Sequence, residues 1–234
     1  MQNDKADYKR FDHNEYAKTR APDDFWGQIR RTVQGKPVTE DQIRMIVDSV
    51  HAALRLEPDD RLLDLACGNG ALSHRFFDSI AEYLGVDFSE HLISVAKTNF
   101  EKLPLYRFVM QGAAEYVRQE PHPERFTKVL CYGSFPYFPA ADAAEVLRTL
   151  YQKFTGVQAV FIGNLPDKDR AAAFYKENQV SAEELADHAS QIGIWRTRDE
   201  FTRLAGEAGW KAGFSFMPAE YYASHYRYDV LLSR

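Results

Sequence analysis

The chain has 234 residues, and 45% of them are hydrophobic, which is enough for one large domain with a single core. Its net charge of −5, with lysine and arginine scattered rather than clustered, argues against a nucleic acid partner. We expect no membrane segment and no export signal, because residues 1–10 are charged and no apolar run approaches the roughly 18 residues of a membrane span. The two cysteines lack metal-ligand spacing, so we predict no metal site and a reducing, cytoplasmic location.

Residues 1–38 are predicted to form a lid segment that precedes the main domain. A short helix is expected over residues 8–16, and Pro22 and Gly27 then interrupt any regular period. The segment is too rich in aromatic side chains for a solvated tail. We therefore expect it to cover a site in the main domain and to exclude water from that site.

The main domain, residues 39–234, begins with a predicted helix over residues 40–54. Thr39 and Gln42 have the spacing of a capping box, in which each side chain bonds to the backbone N–H of the other position. Apolar residues then recur at helical spacing, which supports the helix.

From residue 61 short apolar runs alternate with amphipathic stretches, a pattern typical of a parallel sheet covered by helices. The strands are predicted over residues 62–66, 83–86, 106–110, 128–131, 157–162, 210–216 and 225–232. The helices between the first five strands are predicted over residues 71–78, 90–100, 114–120 and 141–154. A polar, alanine-rich stretch, residues 167–190, is predicted to be a helical insert. Thr197 and Glu200 form a second capping box, and Gly209 is predicted to end the helix that it begins.

The loop that follows the first strand is rich in small residues. Gly68 and Gly70 can adopt positive φ values, and they allow a ligand to approach the backbone closely. The next strand ends at Asp87, at the carboxyl edge where open α/β sheets bind ligands. A carboxylate there can accept hydrogen bonds from both hydroxyls of a ribose. The two features together predict a nucleotide-like ligand.

These features resemble the first motifs of class I S-adenosylmethionine (SAM) dependent methyltransferases, and the resemblance covers about residues 39–234. It implies a Rossmann-like, doubly wound α/β fold with a mostly parallel seven-stranded sheet, a reversed C-terminal strand, helices on both faces and an N-terminal helical lid. It also implies an enzyme that takes SAM as its cofactor and releases S-adenosyl-L-homocysteine. The residues that the resemblance assigns to the cofactor are Asp64, Ala66, Gly68, Asn69, Gly70, Asp87, Phe88, Ala113, Ala114 and Cys131.

The chain departs from the family pattern in two places. Near Ala113 it lacks the Asp that many relatives carry after the third strand, and after the fourth strand it lacks Asn-Pro-Pro-Tyr, which disfavours methylation of an exocyclic base amine. An NAD-dependent dehydrogenase is an alternative for the same loop, but Ser73 replaces the third glycine of that motif. A SAM-binding protein without transfer activity also stays open. Cys67 is more typical of a small buried side chain than of a nucleophile.

Methyl transfer from a sulfonium requires alignment in a dry pocket, and a hydroxyl acceptor also requires a base. His225 and His13 are the candidate bases, because histidine titrates near neutral pH. Tyr16 and Tyr137 are predicted to orient the acceptor. The favoured reaction is therefore methylation of a hydroxyl or carboxylate oxygen.

The acceptor is predicted to be a small polar metabolite, with N-methylation of a small amine as the alternative. The predicted acceptor-binding residues are Trp26, Arg30, Tyr137 and Tyr226. Arg20 and Arg31, like Arg30, can bind a carboxylate or phosphate through paired donors. We expect a monomer or a homodimer.

Overall fold

A computed structural model describes residues 15–175 and 180–234 of the chain. Within them seven strands form one sheet: β1 Arg61–Leu65, β2 Glu82–Asp87, β3 Tyr106–Met110, β4 Lys128–Tyr132, β5 Ala159–Pro166, β6 Lys211–Ser215 and β7 Arg227–Ser233. Their order across the sheet is β3-β2-β1-β4-β5-β7-β6. Strands β1 to β5 are parallel, and β7 runs antiparallel to both of its neighbours. The mostly parallel sheet with a reversed C-terminal strand is therefore confirmed.

Helices cover both faces of the sheet. The described α-helices longer than six residues are α1 Glu40–Leu54, α2 Glu90–Phe100, α3 Ala113–Gln119, α4 Ala140–Lys153 and α5 Arg198–Glu207. Because side chains alternate along a strand, Leu63 and Leu65 of β1 pack in a core with α3, α4 and α5, whereas Leu62 packs in a second core with α1 and α2. These two cores confirm the doubly wound arrangement.

The centre of the sheet is the place where the chain reverses its direction of progress. β1 and β4 lie side by side, and the chain continues from β1 toward one edge of the sheet and from β4 toward the other. Loops at the carboxyl ends of such strands diverge and leave a crevice that binds ligands. Because β7 is antiparallel, with Arg227 opposite Pro166, the segment before β7 reaches the same edge.

The segment after the glycine-containing loop is a 3₁₀ helix, Ser73–Ser79, and the prediction of an α-helix over residues 71–78 is wrong. The Ser73 hydroxyl donates to Asp64 in β1 at 2.5 Å, and Phe76 and Phe77 are both buried. These contacts hold the segment against the sheet in a coil tighter than an α-helix.

Two strand boundaries also differ from the prediction. β5 continues to Pro166 past a bulge that includes Asn164, whose φ of 65° lies in the left-handed region that Asn tolerates. β7 begins at Arg227, so the prediction that His225 starts the final strand is wrong. Arg227 already pairs with the last residue of β5, which leaves His225 without a strand partner there, and residues 222–226 form turns.

Short helices lie outside the sheet and its crossovers. One is Phe25–Gln28, and two more, Ala171–Tyr175 and Ala182–Ala186, lie within residues 167–190. In the described part of the chain no helix is both long and apolar enough to cross a membrane. The helix predicted over residues 8–16 lies largely outside the described residues. The division into a lid, a main domain and an insert stays a prediction.

The two predicted capping boxes have different outcomes. The Thr197 hydroxyl accepts the N–H of Glu200 at 3.0 Å, and the Glu200 carboxylate accepts the N–H of Thr197 at 2.9 Å, so this box is confirmed. The box at Thr39 is wrong, because the Thr39 side chain makes no capping bond. The amide of Gln42 bonds instead to the backbone of the turn before β7, at 3.0 and 2.8 Å. It cannot reach back to its own helix start at the same time.

Thr197→Ala is expected to lower the free energy of unfolding by about 1 kcal/mol, because it removes a cap bond at a helix N-terminus. Thr39→Ala is the matched control and should cost roughly a few tenths of a kcal/mol, since this side chain caps nothing. Urea unfolding followed by circular dichroism measures both values. Equal losses in the two variants would contradict the assignment of the caps.

Candidate active site

The loop after β1, called here the glycine loop, passes through three left-handed residues. Ala66, Gly68 and Gly70 have φ values of 59°, 60° and 75°. At the end of β2, the Asp87 carboxylate accepts the N–H of Gly68 at 2.9 Å and that of Ser89 at 2.8 Å. Burial raises the pKa of Asp87, and these two bonds oppose the shift. The loop and the acidic residue that were predicted to share a site are in direct contact.

The glycine loop fits closely against its surroundings because two of its residues lack side chains. A Cβ at Gly70 would lie 2.8 Å from the ring of Phe108, and a Cβ at Gly68 would lie 3.0 Å from Ile29. Each oxygen of Asp87 accepts one N–H, which leaves a second lone pair on each oxygen for a ribose hydroxyl. This geometry is compatible with the ribose of SAM.

Asp64 is buried in β1, directly before the glycine loop. Its Oδ2 accepts the Ser73 hydroxyl at 2.5 Å and the Tyr83 hydroxyl at 3.1 Å. Burial raises the pKa of Asp64 to about 7, and the two hydrogen bonds offset only part of that shift. The carboxyl is therefore near its titration midpoint at neutral pH. A cation beside it would favour the ionised form.

The side chain of Asn69 connects the glycine loop to the N-terminal segment. It is fully buried, and its Nδ2 donates to the carbonyl of Phe25 at 2.8 Å and to Oε1 of Gln28 at 2.9 Å. Its Oδ1 accepts the N–H of Ala71 at 3.2 Å. The side chain of Asn69, a residue predicted to contact the cofactor, is thus committed to protein partners, and its backbone is the part left for a cofactor.

The other predicted cofactor residues also lie at the carboxyl edge of the sheet, but the side chain of one of them, Cys131, points into the core. Phe88 follows β2, and Ala113 and Ala114 open α3 after β3; all three are half-buried. Cys131 is buried in β4 among the core side chains of α4, so its thiol faces away from the crevice. Burial raises the pKa of Cys67 well above its usual value, which agrees with a small packed side chain rather than a nucleophile.

Three of the residues predicted to act on the acceptor lie close to one another. The guanidinium of Arg30 lies over the ring of Tyr16, 4.2 Å from its centroid. Tyr137 lies in the turn after β4 and donates its hydroxyl to the carbonyl of Gln191 at 3.0 Å. Burial raises the pKa of Tyr137, whereas the charges of Arg227 and Arg30 lower it. Both guanidinium groups are therefore near this tyrosine.

Tyr226 and His225 directly precede β7, and the guanidinium of Arg227 lies 4.8 Å from the ring centroid of Tyr226. Tyr226 is buried against Phe174 and Trp195, with ring centroids 4.9 and 5.8 Å apart. His225 is exposed, and its ring lies 4.8 Å from that of Tyr226. His13 lies outside the described residues. The role of either histidine as a base stays a prediction.

Sequence reasoning missed a polar cluster at the carboxyl ends of β4 and β5. We call Tyr132, Asn164, Tyr221 and Asp229 the polar cluster. The hydroxyls of Tyr132 and Tyr221 are 3.4 Å apart, and the buried carboxylate of Asp229 accepts the N–H of Asn164 at 2.6 Å. Burial raises the pKa of Asp229 to about 6. The signal available in the sequence was an aspartate directly before the apolar run Val230 to Leu232 of a predicted strand.

The N-terminal segment meets the polar cluster through Arg31. The guanidinium of Arg31 lies 5.0 Å from the ring centroid of Tyr132 and 5.8 Å from that of Trp26. Arg31 thus places Trp26, a predicted acceptor residue, beside the cluster.

Residues 62–154 match a family described as a methyltransferase domain. The chain is 29% identical over 164 residues to ubiquinone biosynthesis O-methyltransferase from Stutzerimonas stutzeri strain A1501, an alignment that covers 70% of this chain and 67% of that protein. Magnesium protoporphyrin IX methyltransferase from Synechocystis PCC 6803 with bound SAM superposes with a TM-score of 0.64 at 16% identity, over 98% of this chain and 97% of that one. The methyltransferase domain of a bacterial Hen1 superposes with a TM-score of 0.58 at 17% identity, over 83% and 99%.

These matches indicate a class I SAM-dependent methyltransferase, as the sequence predicts. The prediction of an enzyme with SAM as its cofactor is confirmed, and the dehydrogenase alternative is set aside. The roles of individual site residues stay predictions, because likeness to solved structures at this identity extends to the fold alone.

We expect the affinity for SAM to rise as the pH increases through about 7 and to fall again above about 8, where the SAM ammonium itself loses its proton. The predicted neighbour of Asp64 is the SAM amino group, and an ammonium there would lower a pKa that burial has raised to about 7, so binding releases a proton. The charge of Asp87 also raises the pKa of Asp64, and that of Arg31 lowers it. Both residues are retained in the variant that tests this prediction.

Isothermal titration in two buffers of different ionisation enthalpy, between pH 6 and 8, counts the protons released. Asp64→Asn keeps the side-chain shape and corrects for titration of SAM itself. A proton count that is the same in the wild type and in Asp64→Asn would show that Asp64 does not face the amino group.

Proposed function

We propose that the enzyme transfers the methyl group of SAM to an oxygen atom, of a hydroxyl or a carboxylate, on a small polar metabolite. The observation that carries this proposal is the charge beside the polar cluster. Arg31 lies against Tyr132, and Arg30 and Arg227 act on Tyr137. Guanidinium groups donate to oxygen lone pairs and repel an ammonium, and phenol hydroxyls can donate to the same oxygens. An oxygen acceptor fits this surface better than the alternative, a small amine.

The small size of the acceptor is supported by the position of the N-terminal segment. Asn69 bonds this segment to the glycine loop, and Ile29 lies over Gly68. A segment held this closely leaves little room for a polymer and keeps water from the crevice. The sequence similarity to an O-methyltransferase also supports an oxygen acceptor.

The residues of the chain have separate tasks in this proposal. SAM, when bound, supplies a methyl group on a positively charged sulfur. The glycine loop would hold it by backbone contacts, Asp87 would bind the ribose hydroxyls and Asp64 would face the amino group. Tyr137 and Tyr132 would orient the acceptor. A carboxylate acceptor arrives deprotonated and needs no base, whereas a hydroxyl needs one, for which His225 and His13 stay the candidates.

Asp87→Ala is expected to weaken SAM binding by about 1.5–3 kcal/mol, because hydrogen bonds to a charged group would be lost at both ribose hydroxyls. This corresponds to roughly 10- to 150-fold in the dissociation constant. Asp59→Ala, at an exposed position in the loop before β1, is the control with the same change in net charge. Unchanged affinity in Asp87→Ala would place the ribose elsewhere.

The acceptor class can be tested with SAM labelled in its methyl group. The purified protein is incubated with mixtures of small hydroxy acids, phenols, carboxylic acids and amines, and mass spectrometry detects S-adenosyl-L-homocysteine and the labelled product. We expect label on oxygen; mild alkali then separates esters, which release labelled methanol, from ethers, which do not. Label found on nitrogen alone would replace the proposal by the amine alternative. Binding of SAM without any product would favour a non-catalytic role.

A further inference from the structure

Arg31 is a buried cation that forms no ion pair with any residue the structure describes. Its side chain is 9% exposed, and its Nη1 has neither solvent contact nor a hydrogen-bond partner. Across residues 15–175 and 180–234 no carboxylate forms an ion pair with it. Buried charges in proteins are normally paired, because leaving water is costly for an unpaired ion. Such a group indicates a binding site for an anion.

Arg20 and Arg30, which lie in the same segment, are engaged differently. Arg20 forms an ion pair with Asp24 at 2.9 Å, and Arg30 lies over the ring of Tyr16. Arg31 is held in place by its backbone, whose N–H donates to the carbonyl of Trp26 at 2.8 Å. Among the described residues its guanidinium packs on the rings of Tyr132 and Trp26 and forms no ion pair.

The side-chain amide of Asn164 is a second donor, and it lies near Gly133 together with Arg31. Gly133, directly after β4, has a φ of 81°, and a Cβ there would lie 3.6 Å from Nη2 of Arg31 and 3.5 Å from Nδ2 of Asn164. The two side chains thus converge on the bare Cα of Gly133. The Oδ1 of Asn164 is also buried without a partner. An alanine at residue 133 would occupy the gap between the two donors.

Asn164 is fixed in its unusual backbone conformation by two neighbours. Asp229 accepts its N–H at 2.6 Å, and Arg227 donates to its carbonyl. A left-handed non-glycine residue held by its surroundings is common at ligand sites. Because Asp229 bonds to the backbone of Asn164, it leaves the side-chain amide free for a ligand.

We propose that Arg31 and Asn164 bind a carboxylate of the methyl acceptor in the gap beside Gly133. A carboxylate is planar and offers two oxygens, which match a guanidinium edge and an adjacent amide N–H. The ring of Tyr132 lies 5.0 Å from the Arg31 guanidinium. The hydroxyls of Tyr132 and Tyr221 bond to each other at 3.4 Å, and the one that accepts this bond keeps its own proton to donate. The inference rests on the proposed function, and it narrows the acceptor to compounds that carry a carboxylate.

The test uses the full-length protein saturated with S-adenosyl-L-homocysteine and two probes, benzoate and its neutral analogue benzamide. We expect benzoate to bind about tenfold more tightly than benzamide, because the charge is what the gap recognises. Arg31→Gln and Asn164→Asp should each weaken benzoate about tenfold. Arg44→Gln, which removes an exposed arginine of α1, is the matched charge control and should bind as the wild type does.

Asn164→Asp keeps a residue that tolerates the left-handed backbone, and it tests the site even where Arg31→Gln does not fold. The inference is overturned by equal binding of the two probes, by the absence of benzoate binding up to its solubility limit, or by unchanged benzoate binding in both variants. It is also overturned by an Arg31→Gln variant that binds benzoate normally but S-adenosyl-L-homocysteine tenfold more weakly, since Arg31 would then hold the carboxylate of the cofactor. Labelled product on nitrogen, with benzoate binding as expected, would refute the proposed O-methylation and leave the carboxylate site standing.

Discussion

The carboxylate of Asp87 accepts the N–H groups of Gly68 and Ser89, and this ties the glycine loop to the end of β2. A loop with three left-handed residues is flexible unless its surroundings hold it, because glycine has many backbone conformations available in the unfolded chain. Asp87 supplies that restraint with one bond from each oxygen, and each oxygen keeps a second lone pair. The ribose contact predicted for this carboxylate would use those lone pairs. The contacts that the glycine loop makes with residues 25–28 therefore depend on the Asp87 carboxylate.

The N-terminal segment connects the glycine loop to the polar cluster. Asn69 bonds the glycine loop to residues 25–28, and the same segment continues to Arg31, which lies against Tyr132. Because the segment touches both sides, a shift of the glycine loop would move Arg31 as well. The structure thus provides a short physical connection between the place where the cofactor would bind and the place where a carboxylate would bind.

Local features were predictable where the responsible groups are close in sequence. The box at Thr197 formed because Glu200 accepts the Thr197 N–H with one carboxylate oxygen while Lys168 bonds to the other. The box at Thr39 did not form, although its residues have the same spacing, because a distant turn takes the amide of Gln42. Ser73 likewise bonds to Asp64 in β1, in a segment that coils as a 3₁₀ helix where an α-helix was predicted. Each error comes from a tertiary contact that local spacing does not reveal.

The sequence by itself determined the class of the fold, the cofactor and the enzyme family. It did so because the alternation of strands and helices, the glycine loop and the acidic end of β2 are each encoded in short continuous segments. Only the tertiary structure brought Arg31, Gly133, Asn164 and Asp229 together, since they come from four distant parts of the chain. Burial without a partner is a property of the folded surroundings and not of a residue type. That is why the charge of Arg31 became informative only once its neighbours were known.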